Sequence, residues 1–186
     1  MKIPIALASA AALALAACGD SDTTDETATE AVATETALPT DVPTPDTSSP
    51  QGFVDTMAAS DMFEVEAGKL AQQMGKSQAV KDFGAMMVKD HTTSSDKLKA
   101  AVAEAGNGLA VAPALTPVLQ GNLDQLRGAG ETFDAMYAQQ QVDAHETALG
   151  VLQAQAGSGT VEQLRTFAAD TAKVVEGHLA EARKLP

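Results

Sequence analysis

The sequence predicts an all-α protein: a four-helix up-down bundle with an extra short helix in its second connection. From Gln51 onward apolar residues recur at spacings of three and four rather than two, which marks amphipathic helices. Almost no β-branched runs or hairpin dipeptides compete with that pattern. Prolines and a set of glycines fall where helices would start and stop.

The spacing predicts helices over 52–74, 78–105, 131–156 and 160–184, with a short one over 115–127. Ser49-Pro50 fits an N-cap with a first-turn proline, and Gly75, Gly106 and Gly157 fit helix ends. Thr160-Val161-Glu162-Gln163 has the form of a capping box. Pro113 and Pro117 fall in the second connection, where they interrupt no long helix. The short first and third connections make their helices antiparallel neighbours. The span 51–186 closes a single core. With aromatic residues at 3% and no Trp, that core must rely on Ala, Val, Leu and Met. Met57, Met74, Met86, Met87 and Met136 are scattered among the helices and read as core fillers rather than soft metal ligands.

Upstream of the bundle the chain has a different character. Residues 1–17 carry Lys2 and an apolar run from Ile3 to Ala17. That is the layout of a secretory leader, too short to span a bilayer at roughly 20 apolar residues. Leu15-Ala16-Ala17-Cys18 resembles a bacterial lipobox, so Cys18 is the expected lipidation site and the lipid on it the expected link to a membrane. Because Cys18 is the sole cysteine, its lipidation leaves no thiol for disulfides or catalysis. Gly19 after it, by resemblance to proteobacterial sorting, favours the outer membrane over the inner, with the domain facing the periplasm. Residues 19–50 are rich in Thr, Asp, Glu, Ala and Pro, contain no Lys or Arg, and read as a disordered acidic tether. The chain carries a net charge of −13. The domain that follows holds 11 basic against 17 acidic residues, and its charge of −6 argues against nucleic acid as a partner.

All three histidines occupy one frame. VKDHTTSSDKL from Val88, VDAHETALGVL from Val142 and VEGHLAEARKL from Val175 each place a valine three before the histidine and a leucine seven after. Those positions share one helical stripe, so His91, His145 and His178 should point inward. On the first helix Glu64 shares the stripe of Phe53, Met57, Ala67 and Ala71, and is also expected to face inward. Glu66 falls about 200° round the helix from it, on the solvent side. The openings SQAVKDFGAMM at Ser77 and TVEQLRTFAAD at Thr160 share a short pattern that hints at two related hairpins.

EVEAGKLA at Glu64, VKDFGAMMVKDH ending at His91, GETFDAMY at Gly130, VDAH at Val142 and GHL at Gly177 together resemble the bacterial domain-of-unknown-function family 4142. The resemblance implies a ferritin-like bundle and a cell-envelope location. It also points to Glu64, Asp90, His91, Asp134, Tyr137, His145 and His178 as the positions of interest. The family supplies no reaction.

Ferritin-like di-iron sites use Glu-x-x-His motifs, but Val88, Val142 and Val175 hold the glutamate position here. An imidazole-rich site of His91, His145, His178 and Glu64 would suit Zn²⁺, Fe²⁺ or Cu²⁺ by ligand type. Counting about 1.5 Å per residue from the turns near Gly75 and Gly157 puts Glu64 and His145 level, His91 roughly 5 Å lower and His178 roughly 12 Å lower. On that count Glu64, His91 and His145 converge, while His178 meets Tyr137 and Asp134. Asp90 reads either as a surface charge or as a group orienting a neighbouring imidazole. The competing reading is a structural or protein-interaction lipoprotein whose neutral imidazoles form a core hydrogen-bond network without metal. No Gly-rich phosphate loop, Ser-His-Asp order or reactive thiol is present, so nucleotide use and nucleophilic catalysis have no foothold in the motifs.

Overall fold

The computed structural model describes Thr47 and residues 49–186. The expected leader, the lipidation site at Cys18 and nearly all of the acidic tether lie outside the described residues. Helix α1 spans Pro50–Met74, α2 Gln78–Ala105, α3 Pro117–Gly128, α4 Phe133–Ser158 and α5 Glu162–Ala182, with one 3₁₀ turn at Gly130–Thr132 ahead of α4. No helix among the described residues is long and apolar enough to cross a membrane.

Local chemistry explains most of the boundaries. The Ser49 hydroxyl accepts the Gly52 N–H and Pro50 occupies the first turn of α1. Ser77 caps α2 through the Val80 N–H, and Thr116 caps α3 through the Leu119 N–H. Gly106 ends α2 at φ 60°, in the left-handed region that glycine tolerates. Two expectations fail. Helix α4 runs through Gly157 and stops at Gly159, which consumes residues expected in the turn. Helix α5 then starts at Glu162 without a side-chain cap, so the box at Thr160 does not form.

The four long helices form a ring in the order α1, α2, α5, α4, with α3 packed against α1 and α4. Their directions follow from contacts at the two ends. Asp134, in the first turn of α4, accepts the backbone N–H groups of Lys76 and Ser77 at the α1–α2 turn. At the opposite end Gln51 exchanges hydrogen bonds with Ala110, just past the end of α2, and Phe53 meets Phe167 edge-on at 6.3 Å. The second connection therefore crosses the full height of the bundle. Every neighbouring pair in the ring is antiparallel, and the α1–α2 and α4–α5 turns lie at opposite ends.

Helices α1 and α2 touch through backbone. A Cβ on Gly68 would fall 2.6 Å from the Gly84 carbonyl oxygen, and one on Gly84 would fall 2.7 Å from that of Gly68. Only hydrogen fits at this crossing.

The apolar core is in two parts. One groups Phe53, Met57, Leu98, Leu152, Leu164 and Phe167 at the end where α1 begins. The other groups Phe63, Phe83, Met87, Leu123, Phe133 and Tyr137 towards the α1–α2 turn. Between them lies a layer of buried polar side chains, and the histidines belong to it.

Candidate metal centre

Each of the four long helices contributes to this middle layer. Helix α1 supplies Asp61 and Glu64, α2 His91, α4 Gln141 and His145, and α5 His178, all buried. The three imidazole rings form a nearly equilateral triangle, with centres 5.7 Å apart for His91–His145, 5.6 Å for His91–His178 and 5.5 Å for His145–His178. One donor nitrogen from each ring lies within 4.8 Å of the others.

Every ring is held through one nitrogen. His91 Nδ1 lies 2.8 Å from Asp61 Oδ1, His145 Nδ1 2.8 Å from the Gln141 carbonyl oxygen, and His178 Nε2 3.1 Å from Asp90 Oδ2. Carbonyl and carboxylate oxygens can only accept, so each of these nitrogens carries the hydrogen. The remaining nitrogens, His91 Nε2, His145 Nε2 and His178 Nδ1, are buried with no hydrogen-bond partner. In the neutral rings all three hold lone pairs.

Glu64 stands beside the triangle. Gln141 Nε2 donates to its Oε2 at 2.7 Å, and its Oε1 lies 3.8 Å from His145 Nδ1, beyond hydrogen-bond reach. It is not one of the residues whose donor atoms gather within 4.8 Å. Burial pushes its carboxyl pKa up, with the charge on His91 opposing.

The imidazoles differ electrostatically. Burial opposes the charged form of His91, but the Asp61 hydrogen bond and the charges of Glu64, Asp61 and Asp90 together raise its pKa above the ordinary value. Burial, with the charge on His91, lowers His145 to about 4. His178 is also lowered, chiefly by burial, despite the bond to Asp90. Of the three imidazoles, His91 therefore holds a proton most readily.

The grouping expected from helical height is corrected here. His178 joins His91 and His145 rather than Tyr137 and Asp134. The height count placed both hairpin turns at the same end, whereas the crossing connection puts them at opposite ends. Measured from the α1–α2 turn, Glu64, His91 and His145 sit 10, 13 and 12 residues into their helices. That is a spread of about 5 Å, one helical turn. His178 joins that level, its ring centre 5.5 Å from that of His145.

Asp134 is occupied at the α1–α2 turn, where the N–H groups of Lys76 and Ser77 help hold its pKa below the usual value. Tyr137 stacks on Phe133 and meets Phe83 edge-on; its buried hydroxyl has no partner, and burial raises its pKa. Asp90 takes the orienting role of its two readings, through His178.

Two residues escaped the sequence reading. Asp61 is three before Glu64 and four after Met57, so it shares the inward stripe, and α1 thus buries two carboxylates rather than one. Gln141 is four before His145 on the same face. The periodicity that selected Glu64 and His145 also covers these positions.

Antiparallel helices around a buried layer of three imidazoles, each oriented by an acceptor, define an all-α bundle with a polar centre whose histidines could fit a metal. The chain belongs to the family described as a domain of unknown function (DUF4142), whose model matches residues 35–185. No curated protein and no solved structure matches it.

Proposed function

We propose that this protein is a lipid-anchored cell-envelope module, attached through Cys18, whose bundle binds one divalent transition ion through His91, His145 and His178. The observation that carries this reading is the set of three buried nitrogens with no hydrogen-bond partner, each on a ring whose other nitrogen donates to Asp61, the Gln141 carbonyl or Asp90. Metal-ligating histidines are oriented in this way, the outer acceptor fixing the tautomer. A plain hydrogen-bond network fits less well, since each buried nitrogen left unpaired costs about 1–3 kcal/mol.

The spacing suits an ion. The middle of the triangle is about 3.2 Å from each ring centre, close to the sum of a metal–nitrogen bond of about 2.1 Å and about 1.1 Å from nitrogen to ring centre. Ligated nitrogens are about 3.4 Å apart in a tetrahedral site, and one nitrogen of each ring lies within 4.8 Å of the others. Three neutral imidazoles without thiolate suit Zn²⁺, Cu²⁺ or Fe²⁺. The Asp61 and Asp90 carboxylates compensate the ion's charge from behind two of the ligands. The absence of Lys and Arg from residues 19–50 supports an extended acidic tether between lipid and bundle.

Elemental analysis of the purified chain after equilibration with Zn²⁺, Fe²⁺ or Cu²⁺ tests the centre. One ion per chain is expected, with thermal stabilisation growing with free metal, since a ligand of the folded state must stabilise it. Less than about a tenth of an ion per chain and an unchanged melting temperature would refute the reading.

A further inference from the structure

A small cavity borders the imidazole triangle between α1, α4 and α5. His91, His145, Glu64 and Asp61 form its inner wall, and it offers about 10 Å³ to the centre of a water-sized sphere. A single water needs about 10–15 Å³. Ser60, Ala144, Ala148 and Thr171 line it on the outer side, and all four are half-buried and small.

We propose that the centre keeps one coordination position open to this cavity and holds there a single water-sized oxygen ligand, water or hydroxide, exchanging with solvent. This rests on the three histidines holding a metal. Three protein ligands leave a fourth position in a tetrahedral centre, and such sites typically hold water there. No carboxylate closes the set: the gathered donors are the three imidazoles, and Glu64 turns one oxygen towards Gln141. The surface that bounds the cavity is carbon, so an oxygen held there takes its polar contact from the ion itself. Its size restricts the ligand to about one oxygen atom with its hydrogens, so an organic substrate does not reach the ion.

Electron paramagnetic resonance of the Cu²⁺-loaded full chain, in ordinary and ¹⁷O-enriched water, tests the proposal. Nitrogen couplings from three imidazoles, with lines broadened by ¹⁷O, are the expected result. The nitrogen pattern without ¹⁷O broadening overturns the open position while leaving the metal reading intact. Absence of the three-imidazole pattern overturns both. The Ala148→Leu and Ala144→Leu variants each add bulk at the outer wall and should lose the ¹⁷O effect while keeping the nitrogen pattern. Circular dichroism confirms that each variant is folded. Retained broadening in both folded variants would show that water enters elsewhere and would overturn the role given to the cavity.

Discussion

Asp61 Oδ1 lies 2.8 Å from His91 Nδ1, with Asp61 1% and His91 6% exposed. A carboxylate this deep is tolerated because it is bonded, to the imidazole on one oxygen and to the Ser95 hydroxyl at 3.3 Å on the other. It fixes the His91 proton on Nδ1 and leaves Nε2 buried without a hydrogen-bond partner. Asp61→Asn keeps the shape and removes the charge. Outer acceptors of this kind change metal affinity by about 10–100-fold, so a loss in that range is expected by isothermal titration calorimetry, with helical content unchanged. Equal affinity in variant and parent would remove Asp61 from the centre.

The three imidazoles should titrate apart in the metal-free protein. His145, lowered to about 4, and His178, also lowered, favour the neutral folded form. Their contribution to stability is complete above the unfolded value of about 6.5 and is lost as pH falls through the folded values. For His145 that loss is about 3 kcal/mol between pH 6.5 and 4. His91 has the opposite sign: its raised pKa gives stability that is complete below about 6.5 and lost as pH rises through the folded value. Proton-resolved spectra should show His145 still neutral at pH 5.5 while His91 is protonated. Three coincident midpoints near 6.5 would contradict this layer.

Glu64 should destabilise the metal-free fold increasingly as pH rises above 4.5. Burial raises its pKa, so its favourable contribution is present below the ordinary value of 4.5 and is lost as pH rises through the folded value. Glu64→Gln retains an oxygen to accept the Gln141 amide and has no charge to bury. The variant should gain in urea midpoint relative to the parent, by a margin that grows as pH is raised from 5 to 8. A gap that stays constant with pH would show that Glu64 does not titrate in this range.

Gly68→Ala should weaken the α1–α2 hairpin despite alanine's better helix propensity of about 1 kcal/mol. The new methyl meets the Gly84 carbonyl oxygen at 2.6 Å, and backbone on the partner helix cannot swing aside as a side chain would. Overpacking of this kind costs about 1–3 kcal/mol, enough to lower the melting temperature by several degrees. Gly121→Ala on α3 has open space at its Cβ and serves as the control, with an unchanged or raised melting temperature.

The sequence alone determined what depends on neighbours along one helix. Apolar spacing located the helices, Ser49 marked the cap that α1 forms, and the shared Val-His-Leu frame turned all three imidazoles inward. Those properties follow from 3.6 residues per turn and from hydrogen bonds within a few residues. Which imidazole meets which partner depends on the direction of the second hairpin. Only the tertiary structure decided that, because the crossing from Gly106 to Thr132 inverts α4 and α5 relative to a bundle with short loops throughout. The reversal sets His178 beside His91 and His145, leaves Asp134 at the α1–α2 turn, and gives Asp90 to His178. Asp61 and Gln141 lay on legible stripes, but their partners belong to other helices, and periodicity along one helix carries no information about the register between two.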